Sequence, residues 1–468
     1  MQELASQPVE RSVELPNSAP SPFGSERAGF QGRRMTRPFA TMNVQRCKWD
    51  QQDLARRLCH ALDIARQVVE QLAANGYADS IEPGNTVRPE KVISETAFLL
   101  LAASSAAAHD SVRTRIDSVA RLLIPHARSE RMRLGICLEP TLTLDFAQAH
   151  ICLRRLGYPD AAFDTLLRQS LGSQARSGHE RVPHRILEQE WLAATWDDTA
   201  AHSRKYTSRT ALNSALNHPI DLLNGSREDI YAFTHALMYV TDFNLRPRRL
   251  LRPRGTILAE AEATLGRCLE EQDYDLGAEV LLAWPLTGGS WSAAATFGLR
   301  VLASVEDEAG FLPAPSTRLQ RLNTLQGSAR SEYLLATAYH TVYVMGLLCS
   351  AALQPGRTPP SEIPTGRAAK GGADLIVQFL EPDDRSAHWW DQFNRLQGLE
   401  RDALAGLLLS IALRRKTVQR DFGALRTLLE AAYAAGLADT PAASQAAELL
   451  GRLATAMYRS ASRSHFRS

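Results

Sequence analysis

Ser226 to Asn244, SREDIYAFTHALMYVTDFN, is the stretch where ionisable groups interrupt an apolar helical pattern most densely. Tyr231, His235, Met238 and Asp242 recur at helical steps, which return a helix to nearly one face at about 100° per residue. His235 and Asp242 then stand two turns apart, about 10 Å along the axis, so they cannot touch but can line one cavity. A histidine and a carboxylate so placed can move protons. Tyr231, Thr234, Tyr239 and Thr241 share the segment, and each buried without a partner would cost about 1 to 3 kcal/mol. The competing reading is a neutral core histidine and an exposed helix end.

Tyr339, His340, Thr341 and Tyr343 form a second group inside the apolar run LLATAYHTVYVMG. Two helices with His, Thr and Tyr at their midpoints suggest one polar centre inside an apolar barrel, the usual make-up of a small-molecule site. A third group is Asp275 and Glu279, one helical turn apart and followed by Trp284 and the loop PLTGGSW. A solvated face is the bland reading, but Glu279 precedes VLLAW, where a buried carboxylate with raised pKa would serve as a general base. Gly288-Gly289 ahead of Ser290 is a candidate anion cradle at a helix start. The densest basic run follows the first group, and Arg246 or Arg249 could close over a pocket and bind an anion bidentately. As a solvated loop it would do neither.

His235, Asp242, Glu279 and His340 would suit iron, manganese or zinc if three of them met. No HExxH, CxxC or DDxxD signature is present, and the expectation is no metal. No GxGxxG, Walker A or GxSxG motif supports a nucleotide cofactor or a hydrolase triad, so no cofactor is expected.

These groups need helices to hold them. Residues 1–45 are rich in Pro, Ser, Gly and Arg without period, and read as a disordered leader or a start-codon misassignment. From Trp49 onward, apolar residues recur at helical spacing in a dozen or more segments joined by Gly- and Pro-containing loops, with no strand-like alternation. The fold expected is all-α, with paired antiparallel helices forming an α/α toroid-like barrel or an irregular helical solenoid. Residues 46–468 would form the helical catalytic domain, with a division near 354–372 as an option.

A chain of 468 residues, 44% hydrophobic and 22% charged, can bury a substantial core. Its net charge of +2 argues against nucleic-acid or membrane-surface binding. Six scattered cysteines without paired spacing argue against a disulfide framework or structural zinc. Without a signal-like start, the expected location is cytoplasmic.

THALMYVTDF and AYHTVYVMGLL resemble segments of an uncharacterised group of actinobacterial all-helical proteins, some associated with natural-product gene clusters. The resemblance spans about residues 91–353. The chain is also similar to the helical aziridine-forming proteins of azinomycin-type pathways. That likeness implies intramolecular attack of an amine on a carbon bearing a sulfate ester, release of sulfate, and a smaller partner subunit. His235, Asp242, Glu279 and His340 are the catalytic candidates. Tyr231, Tyr239, Arg246, Arg249, Trp284, Tyr339 and Tyr343 are the candidates for holding substrate. The expected function is a cofactor-independent cyclase or lyase of specialised metabolism acting on a small molecule, as a homo-oligomer or with that subunit. The alternative is a non-catalytic helical interaction or carrier protein.

Overall fold

The computed structural model describes residues 50–72, 89–172, 180–197, 209–245, 249–366, 370–380 and 388–465, with side chains placed up to residue 456. The proposed leader, 1–45, lies outside them. Residues 48–468 form one compact unit.

Local sequence explains several of the helix starts. α1 (Gln51–Glu70) is capped by Asp50, whose carboxylate accepts from the Asp53 N–H at 3.0 Å. There follow α2 (Pro89–Ala103), α3 (Asp110–Ala127), α4 (Glu130–Leu138), α5 (Thr143–Arg155), α6 (Ala161–Gly172) and α7 (Pro183–Trp196), the last with proline at its first turn. After the single turn α8 (Arg209–Leu212) comes α9 (Arg227–Val240), which opens on a full capping box between Ser226 and Asp229. α10 (Arg254–Glu270) leads to α11 (Tyr274–Leu281), capped by Asp273, and then to the short α12 (Ala283–Thr287). Ser292 caps α13 (Ala293–Ala309), and α14 (Leu319–Thr324) precedes the longest helix, α15 (Gly327–Ala352). The remainder is α16 (Gly372–Val377), α17 (His388–Asn394), α18 (Leu399–Asp402), α19 (Ala405–Val418), α20 (Phe422–Ala434) and α21 (Pro441–His465). No strand occurs among the described residues, and the fold is all-α.

Helix–helix packing runs α2 to α5, α5 to α7, α7 to α9, α9 to α11, α11 to α15 and α15 back to α2. Six helices therefore close a circuit. α1 covers the outer side of the α2–α15 pair and packs on both. At that crossing a Cβ on Gly346 of α15 would stand 2.8 Å from the Ala61 Cβ and 3.0 Å from Leu99 Cδ1, so the missing side chain is what lets the three helices approach. α19, beyond the Pro/Gly stretch, packs on α10 from before it.

Two local departures from periodicity bear on function. The helix read through Asn244 stops at Val240, and Asp242, Phe243 and Asn244 take left-handed backbone angles, with φ of 54°, 49° and 59°. Residues 273–284 do not form one helix but break at Leu282 between α11 and α12. One described helix, α15, is long and apolar enough to cross a membrane by length and composition, and 78% of its most apolar window is buried inside the protein.

Candidate active site

The six-helix circuit encloses a cavity of about 240 Å³. Lys91, Glu95 and Phe98 of α2 line it, with Gln148 of α5 and Arg185 and Glu188 of α7. α9 contributes Arg227, Tyr231, His235, Met238 and Tyr239, α11 contributes Asp275 and Glu279, and α15 contributes His340, Tyr343, Val344 and Leu347. A wider cleft of about 710 Å³ shares Lys91, Glu95, Gln148, Arg185 and Glu188 with it, and so forms its outer vestibule.

Asp275 and Glu279 sit at the centre. One turn apart on α11, their carboxylates fall on one face, where like charges repel, and they are only 8% and 2% exposed. The surroundings compensate with donors. Thr234 donates to Glu279 Oε2 at 2.6 Å, and Thr341 donates to Asp275 Oδ1 at 3.2 Å. Glu279 Oε1 has no hydrogen-bond partner among the described residues. Burial, helped by the neighbouring Asp275, pushes Glu279 up to about 8.

His340 bridges from α15. Its Nε2 lies 3.7 Å from Asp275 Oδ1 and its Nδ1 lies 3.2 Å from Glu95 Oε2, an ion-pair contact rather than an aligned hydrogen bond. Burial opposes the imidazolium, but Glu95 and Asp275 outweigh it and raise His340 to about 10. Reciprocally, burial would raise Glu95, yet His340, Lys91 and the Tyr339 hydroxyl, which donates to Oε2 at 2.7 Å, hold it down at about 2.

His235 differs in kind. Its Nδ1 stands 3.0 Å from the Tyr231 carbonyl, which can only accept, so Nδ1 carries the proton and Nε2 the lone pair. The ring stacks on Tyr231 with centroids 3.7 Å apart, and Nδ1 is also 3.5 Å from Glu279 Oε2. Burial, then the charges of Arg185, His184 and His340, keep it neutral, well below its ordinary pKa. Nearby, Tyr239 donates to Glu188 Oε1 and Arg185 to Glu188 Oε2, both at 2.8 Å.

The structure brings together His235, Glu279, His340, Tyr231, Tyr239 and Tyr343, although the Tyr343 hydroxyl is engaged with Thr96 at 2.9 Å. Tyr339 acts one step back, through Glu95. Asp242 is elsewhere. The left-handed turn carries it off the helical stripe, and at 2% exposure it accepts from Trp191 Nε1 at 2.8 Å. Trp284 is buried against Trp291, with ring centroids 6.2 Å apart, outside the cavity lining. Arg249 borders a separate small pocket beside Asp242, and Arg246 lies outside the described residues. Gly288 is no anion cradle: its carbonyl accepts from Arg254 at 3.0 Å, and the Arg357 guanidinium fills the space where a Cβ would stand.

The cations that line the cavity are instead Lys91, Arg185 and Arg227, which the sequence reading missed along with Glu95 and Glu188. Glu95 left one signal, a single acid leading into the all-round apolar FLLLAA. Arg185 and Glu188, three apart on α7, read as an ordinary solvated pair.

One family model matches the chain, over residues 49–350, and is described as a domain of unknown function, DUF6895. That span carries α2, α5, α7, α9 and α11 whole and all but the end of α15. No curated protein and no solved structure matches.

Proposed function

The chain belongs to the DUF6895 family, a domain of unknown function, and from that premise we propose that its central cavity is the active site of a small-molecule enzyme. The observation that carries this reading is the convergence of His235, Asp275, Glu279 and His340, from three helices, on one cavity with a vestibule. Such a concentration of ionisable groups inside an apolar shell costs stability, and active sites are where such groups are gathered despite that cost.

The reaction proposed is a cyclisation or elimination without an organic cofactor. His235 Nε2 accepts the proton of the attacking substrate group. The Tyr231 carbonyl, accepting from Nδ1 at 3.0 Å, holds the ring in that tautomer, and Glu279 Oε2 at 3.5 Å faces the imidazolium so formed. Lys91, Arg185 and Arg227 face a departing anion. In its most specific form the substrate carries an amine and a neighbouring sulfate ester. The N–C bond forms as the C–O bond breaks, the bonding pair leaves with sulfate, and the amine proton goes to His235, giving an aziridine. A reducing cytoplasmic setting suits the five cysteines that are free among the described residues. Tyr231, stacked on His235, would then face the substrate ring or chain.

The test is comparative metabolite profiling of the encoding strain with the chain unchanged or carrying His235→Ala. The expected result is loss of one metabolite and accumulation of its open-chain precursor, at equal levels of folded protein. An unchanged profile with folded variant present removes His235 from any reaction and favours a carrier.

A further inference from the structure

We propose that Asp275, Glu279 and His340 form a binding site for a divalent first-row transition-metal ion, of the manganese or iron type, at the wall of the cavity. This rests on the active-site reading above and names the ion that site would hold.

The donor atoms of these three residues lie within 4.8 Å of one another, close to the span that one ion bridges after small side-chain shifts. Two carboxylates and one imidazole are hard to intermediate donors, and three protein ligands leave further positions for water or substrate. Two further observations point the same way.

The first is the surroundings of each donor. Thr234 fixes one oxygen of Glu279 and leaves Oε1 without a protein partner in a side chain that is 98% covered, given its exposure of 2%. Thr341 fixes Asp275. Glu95, itself held by Tyr339, lies at Nδ1 of His340 and so turns Nε2 toward Asp275. A carboxylate behind the histidine and a hydroxyl on each ligating carboxylate is the outer arrangement that orients metal ligands.

The second is the distribution of fixed charge. Glu95 has Lys91 at 3.7 Å, Glu188 has Arg185 at 2.8 Å, and Asp273 has Arg227 at 2.7 Å. Each cation around the cavity is thus matched to an acid outside the trio, and Arg227 reaches Asp275 only at 3.5 Å. His340 is the cation that faces Asp275, at 3.7 Å, and a dication that displaced the protons of His340 and Glu279 would match the two adjacent buried carboxylates.

The experiment is Mn²⁺ binding to the full-length chain, followed by calorimetry and by the electron paramagnetic resonance signal of free Mn²⁺. One saturable site per chain is expected, lost in Glu279→Gln and in His340→Gln and kept in Asp242→Asn. Thr341→Val, which removes no ligand, should weaken it about 10- to 100-fold while the chain stays folded, the usual effect of an outer partner. Absence of saturable binding in the wild-type chain, or equal affinity in Thr341→Val and both ligand variants, overturns the proposal. If Mn²⁺ does not bind while His235→Ala still abolishes the metabolite, only the metal site falls. If Mn²⁺ binds and the metabolite profile is indifferent to His235→Ala, the reaction falls and the metal site stands.

Discussion

Thr234 is the smallest group on which the centre depends. Its hydroxyl is the one short hydrogen bond to Glu279, a carboxylate with 2% exposure. Thr234→Val keeps the shape and removes the donor, and should lower unfolding free energy by about 1 to 3 kcal/mol in urea titrations. Asp242 is the opposite case, polar and buried but structural. Asp242→Asn keeps an acceptor for Trp191 and tolerates a φ of 54°, so denaturant midpoint and metabolite profile should both stay near wild type. Asp242→Val places a branched side chain at that φ and orphans the indole N–H, and should cost about 2 to 4 kcal/mol by the same titration. His235, Glu279 and His340 were legible in the sequence because each interrupts an apolar run on its helix. Asp242 misled because the 3.6-residue period was extrapolated two residues beyond the point where the helix stops, and a left-handed turn redirects every side chain after it.

The α5–α6 pair is pinned by a buried His150, whose Nε2 stands 2.8 Å from Asp164 Oδ1 while Arg128 donates to Nδ1 at 3.3 Å. Since Nδ1 accepts, Nε2 carries the proton of a neutral ring, packed against Phe163. Burial and the Arg128 charge lower its pKa, against the pull of Asp164 and Asp160. A histidine with a depressed folded pKa contributes stability that is present above its unfolded value near 6.5 and lost as pH falls below it. Melting temperature should therefore fall between pH 7.5 and pH 5.5, and the fall should be smaller in His150→Asn, as differential scanning fluorimetry would read. Elements of this kind were largely visible beforehand, since caps such as Ser226 and Asp273 and prolines such as Pro183 mark helix starts directly. α4, ERMRLGICL, was not anticipated because nine residues give too few turns for a period to show.

Which helices meet was not legible at all. Helical spacing states that a face is apolar but not against what, and the circuit from α2 through α15 is a fact of three-dimensional packing. Gly346 looked like one more small residue in α15, yet it sets the approach of α15 to α1 and α2. Gly346→Val should wedge that crossing apart and cost about 1 to 3 kcal/mol in urea unfolding, and because His340 rides on the same helix, it should also weaken Mn²⁺ binding. The pairing of α2 with α15 has a temporal side. Glu95 and Tyr339, which share a hydrogen bond, are 244 positions apart in the chain. Synthesis at about 5 to 20 residues per second delivers α15 some 12 to 50 seconds after α2. Through that interval the apolar face of α2 has no final partner on the α15 side, so slow late codons should lower the yield of folded chain and leave the finished site unaltered.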